Sequence, residues 1–256
     1  MNNNQSKVAF VTGGGTGIGK SIAITFAKNG YDVAISYRGS IEGALKVKEE
    51  IEKLGQKCFM LKADLSKYSD IVNMFNEFKK VSDRLDVLVN NAGLTVTMPF
   101  LETTEEVFDS MCDVDFKGAF FYTQEAAKIM VEKNIEGSII MITSNNAFAH
   151  FANVSVYGPV KIAAGKLAEH AAIELAKYKI RVNTIAPGWT NTGAERLGKQ
   201  EDSFYKVPLQ KWAECDEVAD AAVFLSSSSA KSITGATLVI DNGALLVSDK
   251  RERYGF

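Results

Sequence analysis

Residues 8–19 read VAFVTGGGTGIG, an apolar run that leads at once into a turn rich in glycine. Val8–Val11 has the length and composition of a buried β-strand, and the apolar spacing from Ile18 to Asn29 is typical of a helix. Glycines at such a turn let the backbone approach a pyrophosphate, which the unpaired N–H groups at the start of the helix can bind. A plain tight turn is the alternative, but the position between a strand and a helix favours phosphate binding.

The rest of the chain repeats this alternation of short apolar runs and longer amphipathic stretches. Strands are predicted at Val8–Val11, Val33–Ile35, Cys58–Leu61, Val87–Val89, Ser138–Ile142, Val182–Ile185 and Ala236–Ile240. Helices are predicted at Ile18–Asn29, Ile41–Leu54, Lys67–Ser82, Glu105–Lys133, Val154–Lys177 and Asp216–Leu225. Because the strands are joined through helices, the sheet should be parallel and covered on both faces. We predict an α/β fold, a single Rossmann-like, doubly wound domain over residues 1–256 with about seven strands.

One stretch, residues 189–212, lacks a clean period and mixes polar with aromatic residues. Long irregular segments in compact domains are often lids or binding loops. We expect this stretch to cover a substrate.

Composition excludes several classes of partner and site. The chain carries 29 basic and 31 acidic side chains, whereas nucleic-acid binders usually carry a basic excess. Cys58, Cys112 and Cys215 form no C-x-x-C pair, and with two histidines in all, no metal site is expected. No apolar leader precedes the first strand and no run is long enough to span a bilayer, which predicts a cytoplasmic protein without membrane contact.

The glycine turn also fits a second pattern. Gly14 and Gly19, followed by Lys20 and Ser21, have the G-x-x-x-x-G-K-S spacing of phosphate-loop nucleotide hydrolases. The turn by itself therefore leaves a nucleotide hydrolase open, and later motifs must decide.

Three polar residues in the middle of the chain could carry chemistry together. Tyr157 and Lys161 are four residues apart and share one face of a predicted helix, while Ser144 follows a predicted strand. A free phenol has a pKa of about 10, and a neighbouring ammonium favours its ionised form. Ser144 could hold a substrate oxygen, and Tyr157 could protonate that oxygen. An ordinary exposed helix pair is the alternative for Tyr157 and Lys161.

In their order and spacing, these motifs resemble the short-chain dehydrogenase/reductase family, in particular its branch of 3-oxoacyl reductases and glucose dehydrogenases. The resemblance runs from Val8 to Gly243, and the matching motifs are T-G-x-x-x-G-x-G from Thr12, N-N-A-G from Asn90, Ser144, Y-x-x-x-K from Tyr157 and Pro187-Gly188. It implies hydride transfer between a nicotinamide cofactor and a small-molecule carbonyl or secondary alcohol. It also implies a homo-oligomer, either a tetramer or a dimer.

The resemblance further implies which residues contact the ligands. Cofactor contacts are expected from Gly13, Gly15, Thr16, Gly17, Ile18, Gly19, Tyr37, Arg38, Asp64, Leu65, Asn91, Ala92, Gly93, Tyr157, Lys161, Pro187, Gly188, Thr190 and Thr192. Apart from the resemblance, candidate residues for contact with the substrate are Asn145, Phe151 and Trp189. The substrate itself stays open among 3-oxoacyl thioesters, sugars, steroids and other carbonyl compounds.

The chain departs from the family pattern at the fourth catalytic position. Asp115 stands where the family usually has an asparagine, whose backbone carbonyl helps hold a water that links the lysine to solvent. A backbone role survives this substitution, and a side-chain role is placed in doubt. Pro159, between Tyr157 and Lys161, predicts a local distortion of the helix because proline lacks an N–H.

Cofactor choice depends on the end of the second strand. An acidic residue there would bind the ribose hydroxyls of NAD and repel a 2′-phosphate, but this chain has Tyr37 followed by Arg38. The pair favours NADP(H), with NAD(H) as the alternative cofactor and a solvated surface arginine as the alternative role of Arg38. A regulator that binds NADP(H) without turnover is the rival function.

Overall fold

A computed structural model describes residues 6–193 and 207–247. Its seven long strands form one parallel sheet in the order β3-β2-β1-β4-β5-β6-β9. The strands of this sheet are β1 Val8–Val11, β2 Asp32–Tyr37, β3 Cys58–Lys62, β4 Val87–Asn90, β5 Ser138–Ile142, β6 Arg181–Pro187 and β9 Thr237–Ile240. A separate parallel pair joins β7, Thr190–Asn191, to β8, Ala213–Glu214.

Helices cover both faces of the sheet and bury a core on each. The helices are α1 Gly17–Lys28, α2 Ile41–Lys53, α3 Tyr68–Val81, α4 Glu105–Cys112, α5 Ala119–Glu132, α6 Tyr157–Leu175 and α7 Cys215–Ser226. Alternate residues of β1 face opposite cores: Phe10 packs with α3, α5 and α6, whereas Ala9 packs with α1, α2 and α7. The predicted doubly wound α/β fold is confirmed.

The long helical region predicted over Glu105–Lys133 is present, but it is not one continuous α-helix. Between α4 and α5, residues Asp113–Gly118 form a π-helical turn. Such turns insert one residue into the helical ladder and often occur at functional sites. The inserted turn contains Asp115, which is 2% exposed.

The distortion predicted at Pro159 is wrong. Helix α6 begins at Tyr157 and runs without a break to Leu175, so Pro159 is its third residue. The first N–H groups of a helix have no partner within the helix, and a residue without an N–H therefore costs little there.

The strand order places the ends of two neighbouring strands at a natural crevice. The chain winds outward from β1 to β3 on one side and from β4 to β9 on the other, so β1 and β4 lie at the reversal point. Ligands of such sheets bind beyond the carboxyl ends of these strands. Much of the predicted covering segment, residues 194–206, lies outside the described residues. No described helix is both long and apolar enough to cross a bilayer.

Candidate active site

A cavity of about 740 Å³ opens beyond the carboxyl ends of the sheet strands, and we call it the main cavity. Most of the predicted site residues line it: Gly13, Thr16, Ile18, Gly19, Tyr37, Arg38, Asp64, Leu65, Asn91, Ala92, Gly93, Ser144, Asn145, Phe151, Tyr157, Lys161, Pro187, Gly188, Trp189, Thr190 and Thr192. Three predicted residues do not line it: Gly15, Gly17 and Asp115. The structure thus brings the two ends of the predicted site into one space.

The glycine turn is shaped by backbone constraints. Gly13 and Gly17 have φ values of +64° and +52°, which a side chain would strain. Thr16 is the N-cap of helix α1, but its side chain makes no capping bond, and the first turn of the helix contains no acidic residue. Its first N–H groups and the positive end of its dipole therefore remain available to an anion. Gly15, in contrast, faces α2, because a Cβ there would lie 3.2 Å from the Ala44 nitrogen.

Asn91 ties the turn to the end of β4. Its Nδ2 donates to the carbonyl oxygens of Thr12 at 3.0 Å and Gly13 at 3.3 Å. The Thr12 hydroxyl accepts from the backbone N–H groups of Asn91 and Ala92, both at 3.0 Å. The polar groups of this motif thus fix two loops to each other, while its surface lines the main cavity.

The lysine of the alternative phosphate-loop pattern points away from the turn. Lys20 Nζ lies 2.7 Å from Glu50 Oε1 on α2. A phosphate-loop lysine must reach the phosphates that its loop holds. Lys20 does not line the main cavity, and this placement argues against a nucleotide hydrolase.

Tyr157 and Lys161 lie one helical turn apart at the start of α6, as their spacing predicts. Lys161 Nζ is 5.5 Å from the centre of the Tyr157 ring. The same Nζ lies 3.4 Å from the carbonyl oxygen of Ile142, at the end of β5. Lys161 is 5% exposed, so its charge acts in a region that water scarcely reaches.

Ser144 receives hydrogen bonds from Asn146, which also lines the main cavity. The Asn146 backbone N–H donates to Ser144 Oγ at 3.2 Å, and Asn146 Nδ2 donates to it at 3.4 Å. A hydroxyl has two acceptor lone pairs and one proton. With both lone pairs engaged, the Ser144 proton is left to point at another acceptor.

Asp115 contacts Lys161 through its side chain. Its Oδ1 lies 2.7 Å from Lys161 Nζ, and its Oδ2 accepts from the Leu94 backbone N–H at 2.8 Å. Burial lowers the pKa of Lys161, but Tyr157 and the Asp115 carboxylate outweigh it, and the pKa lies above its ordinary value. The sequence left a side-chain role in doubt, and the structure shows a direct ion pair.

Gly93 leaves room for the Asp115–Lys161 ion pair because it has no side chain. A Cβ on Gly93 would lie 2.6 Å from Asp115 Oδ1 and 2.9 Å from Lys161 Nζ. Because such contacts are far inside van der Waals distance, only glycine fits between the ion pair and the cavity.

Arg38 and Asp64 lie together at the far end of the main cavity, beyond β2 and β3. The Ser66 hydroxyl, which donates to Asp64 Oδ1 at 2.8 Å, is the main cause of the lowered Asp64 pKa; Arg38 and Lys67 contribute further. The Arg38 side chain is 64% exposed, which leaves its guanidinium free to reorient toward a ligand.

Two of the predicted substrate residues contact each other. The rings of Phe151 and Trp189 meet edge to face with their centres 5.8 Å apart. Asn145 is buried and lines the same wall. The sequence missed other lining residues, which include Ser36, Thr95, Thr97, Val114, Thr143 and Val154.

Clusters of metal-binding side chains are absent from the described parts of the chain. No group of three His, Cys, Asp or Glu side chains there could hold an ion. The three cysteines are free thiols, and burial raises the pKa of Cys58 to about 12. That cysteine is therefore an unreactive core residue.

Comparison with known proteins places this geometry in a family. Residues 13–244 match the family model described as enoyl-(acyl carrier protein) reductase. The chain is 34% identical to a 3-oxoacyl-[acyl-carrier-protein] reductase, FabG, of Staphylococcus epidermidis, over 93% of this chain and 98% of that protein.

Two solved structures share the fold along almost the whole chain. The acetoin dehydrogenase YohF from Salmonella typhimurium is 30% identical with a TM-score of 0.90, covering 97% of this chain and 99% of its own. The angucycline C-6 ketoreductase LanV, solved with bound NADP, is 34% identical with a TM-score of 0.88, covering 94% and 96%. The chain belongs to the short-chain dehydrogenase/reductase family of oxidoreductases.

Proposed function

We propose that this protein transfers a hydride between NADP(H) and a small or medium-sized carbonyl compound or secondary alcohol. The observation that carries the proposal is that Ser144, Tyr157 and Lys161 line the same cavity as an uncapped helix N-terminus. One end of this cavity suits a pyrophosphate, and the other suits proton transfer to an oxygen.

The residues at the β2 end fit a phosphorylated ribose. Arg38 lines the cavity, and the neighbouring Tyr37 carries no charge that would repel a 2′-phosphate. A guanidinium binds phosphate oxygens through paired N–H donors. LanV, which is 34% identical, was solved with NADP bound. Together these observations support NADP(H) over NAD(H).

The catalytic residues divide the work between binding and proton transfer. When bound, the nicotinamide cofactor supplies or accepts the hydride. Ser144 directs its one free proton to the substrate oxygen because Asn146 occupies its lone pairs. Tyr157 donates the proton that this oxygen needs during reduction, and the buried Lys161 ammonium favours the phenolate that remains.

The substrate end combines a small polar centre with an aromatic wall. Phe151 and Trp189 form that wall, and Asn145 adds an amide beside Ser144. By their descriptions, the named relatives act on a 3-oxoacyl-[acyl-carrier-protein], acetoin or an angucycline. All three classes belong in a substrate panel, together with sugars and steroids.

The test is NADPH oxidation over that panel by the wild type and by Tyr157→Phe. We expect turnover of at least one carbonyl compound by the wild type, and turnover at least about a hundredfold slower by the variant. NADPH binding without turnover of any compound would instead support the rival function, a cofactor-binding regulator. Sedimentation would test the implied homo-oligomer, and a cytoplasmic location stays a prediction.

A further inference from the structure

The ion pair between Asp115 and Lys161 is closed to water. The side chains of Lys161 and Asp115 are 6% and 0% exposed, respectively. The second carboxylate oxygen is held by the Leu94 N–H, and the π-helical turn fixes the backbone of Asp115. The Asp115 carboxylate is therefore held in a fixed position next to the Lys161 ammonium, which favours the phenolate form of Tyr157.

The carboxylate of Asp115 gives this site one more negative charge than the asparagine that the family usually has at this position. With Asp115 ionised, Lys161 is already neutralised before Tyr157 loses a proton. Loss of one proton from Tyr157 or Lys161 then leaves a buried group with net negative charge. Burying an uncompensated charge is unfavourable. The Tyr157–Lys161 pair should therefore lose its first proton at a higher pH with Asp115 than it would with a neutral asparagine at position 115.

We propose that Asp115 is a positioning residue whose negative charge raises the pH at which the Tyr157–Lys161 pair releases its first proton. The inference rests on the proposed function only for the role of Tyr157 as proton donor. Because the two groups titrate together, removing a nearby negative charge eases the first release whichever group supplies the proton.

The other titratable groups around the pair do not offset Asp115. On the α4 side, burial raises the pKa of the Cys112 thiol, with Asp109, Asp113 and Asp115 adding to it. On α5, burial also raises the pKa of Tyr122, so both groups remain uncharged at neutral pH. Asp64 across the cavity has a lowered pKa, mainly because of its hydrogen bond from Ser66, and adds a further negative charge.

The test replaces the carboxylate with a neutral amide in Asp115→Asn. The amide oxygen can still accept from the Leu94 N–H, and the amide NH2 then takes the place of the oxygen that faces Lys161 Nζ. The change therefore removes the negative charge together with its contact to the ammonium. Asp113→Asn is the matched control, because Asp113 lies in the same helical turn but pairs with Lys117 at 3.1 Å on the surface. Asp115→Ser, which is also neutral, carries the same expectation and replaces the first variant if that does not fold.

Tyrosinate absorbance in the ligand-free protein provides the first readout, taken as the difference from the same protein carrying Tyr157→Phe. We expect the midpoint for Tyr157 to move down by about one pH unit in Asp115→Asn, the lower end of the effect of a nearby charge. For alcohol oxidation, the midpoint of the pH dependence of kcat/KM that reports Tyr157 should also move to lower pH in Asp115→Asn. Asp113→Asn should leave both midpoints unchanged.

A midpoint that stays in place, or moves up, would overturn the inference and leave Asp115 a structural residue. The absorbance titration needs no substrate or turnover. Failure of this inference would therefore be distinguishable from failure of the proposed function. The latter would appear as a lack of reduction of any carbonyl compound.

Discussion

Arg38 Nη1 lies 3.8 Å from Asp64 Oδ1, across the end of the main cavity where β2 and β3 stop. The Arg38 side chain is 64% exposed, and exposed ion pairs of this kind contribute little, roughly 0–1 kcal/mol. A phosphate that offers several charged oxygens would therefore compete well with Asp64 for the guanidinium.

Cofactor preference should depend on Arg38. A hydrogen bond to a charged group contributes on the order of 1.5–3 kcal/mol, so Arg38→Leu should lower kcat/KM for NADPH by roughly ten- to a hundredfold. NADH has no 2′-phosphate and should be almost unaffected. Adding Tyr37→Asp should favour NADH, because the carboxylate can bind ribose hydroxyls and repel the phosphate. Steady-state kinetics with both cofactors at fixed salt provide the measurement.

Lys67→Met serves as the matched control for this prediction. Lys67 Nζ also contacts Asp64, at 3.9 Å, but Lys67 does not line the main cavity. The control should leave the ratio of NADPH to NADH activity unchanged. Arg38 would be only a surface charge if Arg38→Leu lowered kcat/KM equally for both cofactors. The same conclusion would follow if the wild type used NADPH and NADH equally well.

Turnover should require the hydroxyl of Tyr157. Tyr157→Phe keeps the ring beside Lys161 and removes only the proton donor. General acid catalysis contributes about 10²- to 10⁴-fold, so kcat should fall by at least about a hundredfold while NADPH affinity changes little. Fluorescence titration with NADPH alongside the kinetics separates the two effects. A variant that kept a tenth of the wild-type kcat would remove Tyr157 from its proposed role.

Asn146 should affect the reaction through Ser144. Asn146→Ala removes the Nδ2 donor and leaves the backbone donor, a loss of about 0.5–1.5 kcal/mol and hence roughly three- to tenfold in kcat. Asn146→Asp keeps the size but turns a donor into an acceptor, so kcat should fall further. KM for NADPH should stay constant in both. Equal kcat values for all three proteins would show that the side chain does not orient Ser144.

Gly93→Ala should disturb both stability and activity. The added methyl would lie 2.6 Å from Asp115 Oδ1, and overpacking of this kind costs typically about 1–3 kcal/mol. Gly165→Ala in α6 is the control, since its Cβ would meet only Thr143 Cγ2, at 3.9 Å. That change should stabilise the protein by about 0.4–1 kcal/mol by restricting the unfolded chain. Urea unfolding of the two variants should therefore give shifts of opposite sign, and a stable, active Gly93→Ala protein would contradict the steric account.

Local patterns in the sequence determined the parallel α/β fold, the glycine-rich turn between the first strand and helix, and the shared helical face of Tyr157 and Lys161. These features follow from short-range geometry, because the turn connects adjacent elements and residues four apart on a helix are neighbours. The relationship between Asp115 and Lys161 is of another kind. It depends on a π-helical turn inside a stretch whose apolar spacing is typical of one continuous helix.

Only the tertiary structure decided which distant side chains meet. It turned Lys20 toward Glu50 and away from the glycine turn, and it placed Arg38 beside Asp64. It also brought the Asp115 carboxylate against Lys161, where the sequence left the role of that side chain in doubt. Such contacts depend on the strand order and on how the helices pack over the sheet. Residue spacing along the chain does not determine the distance or orientation between side chains on different packed elements.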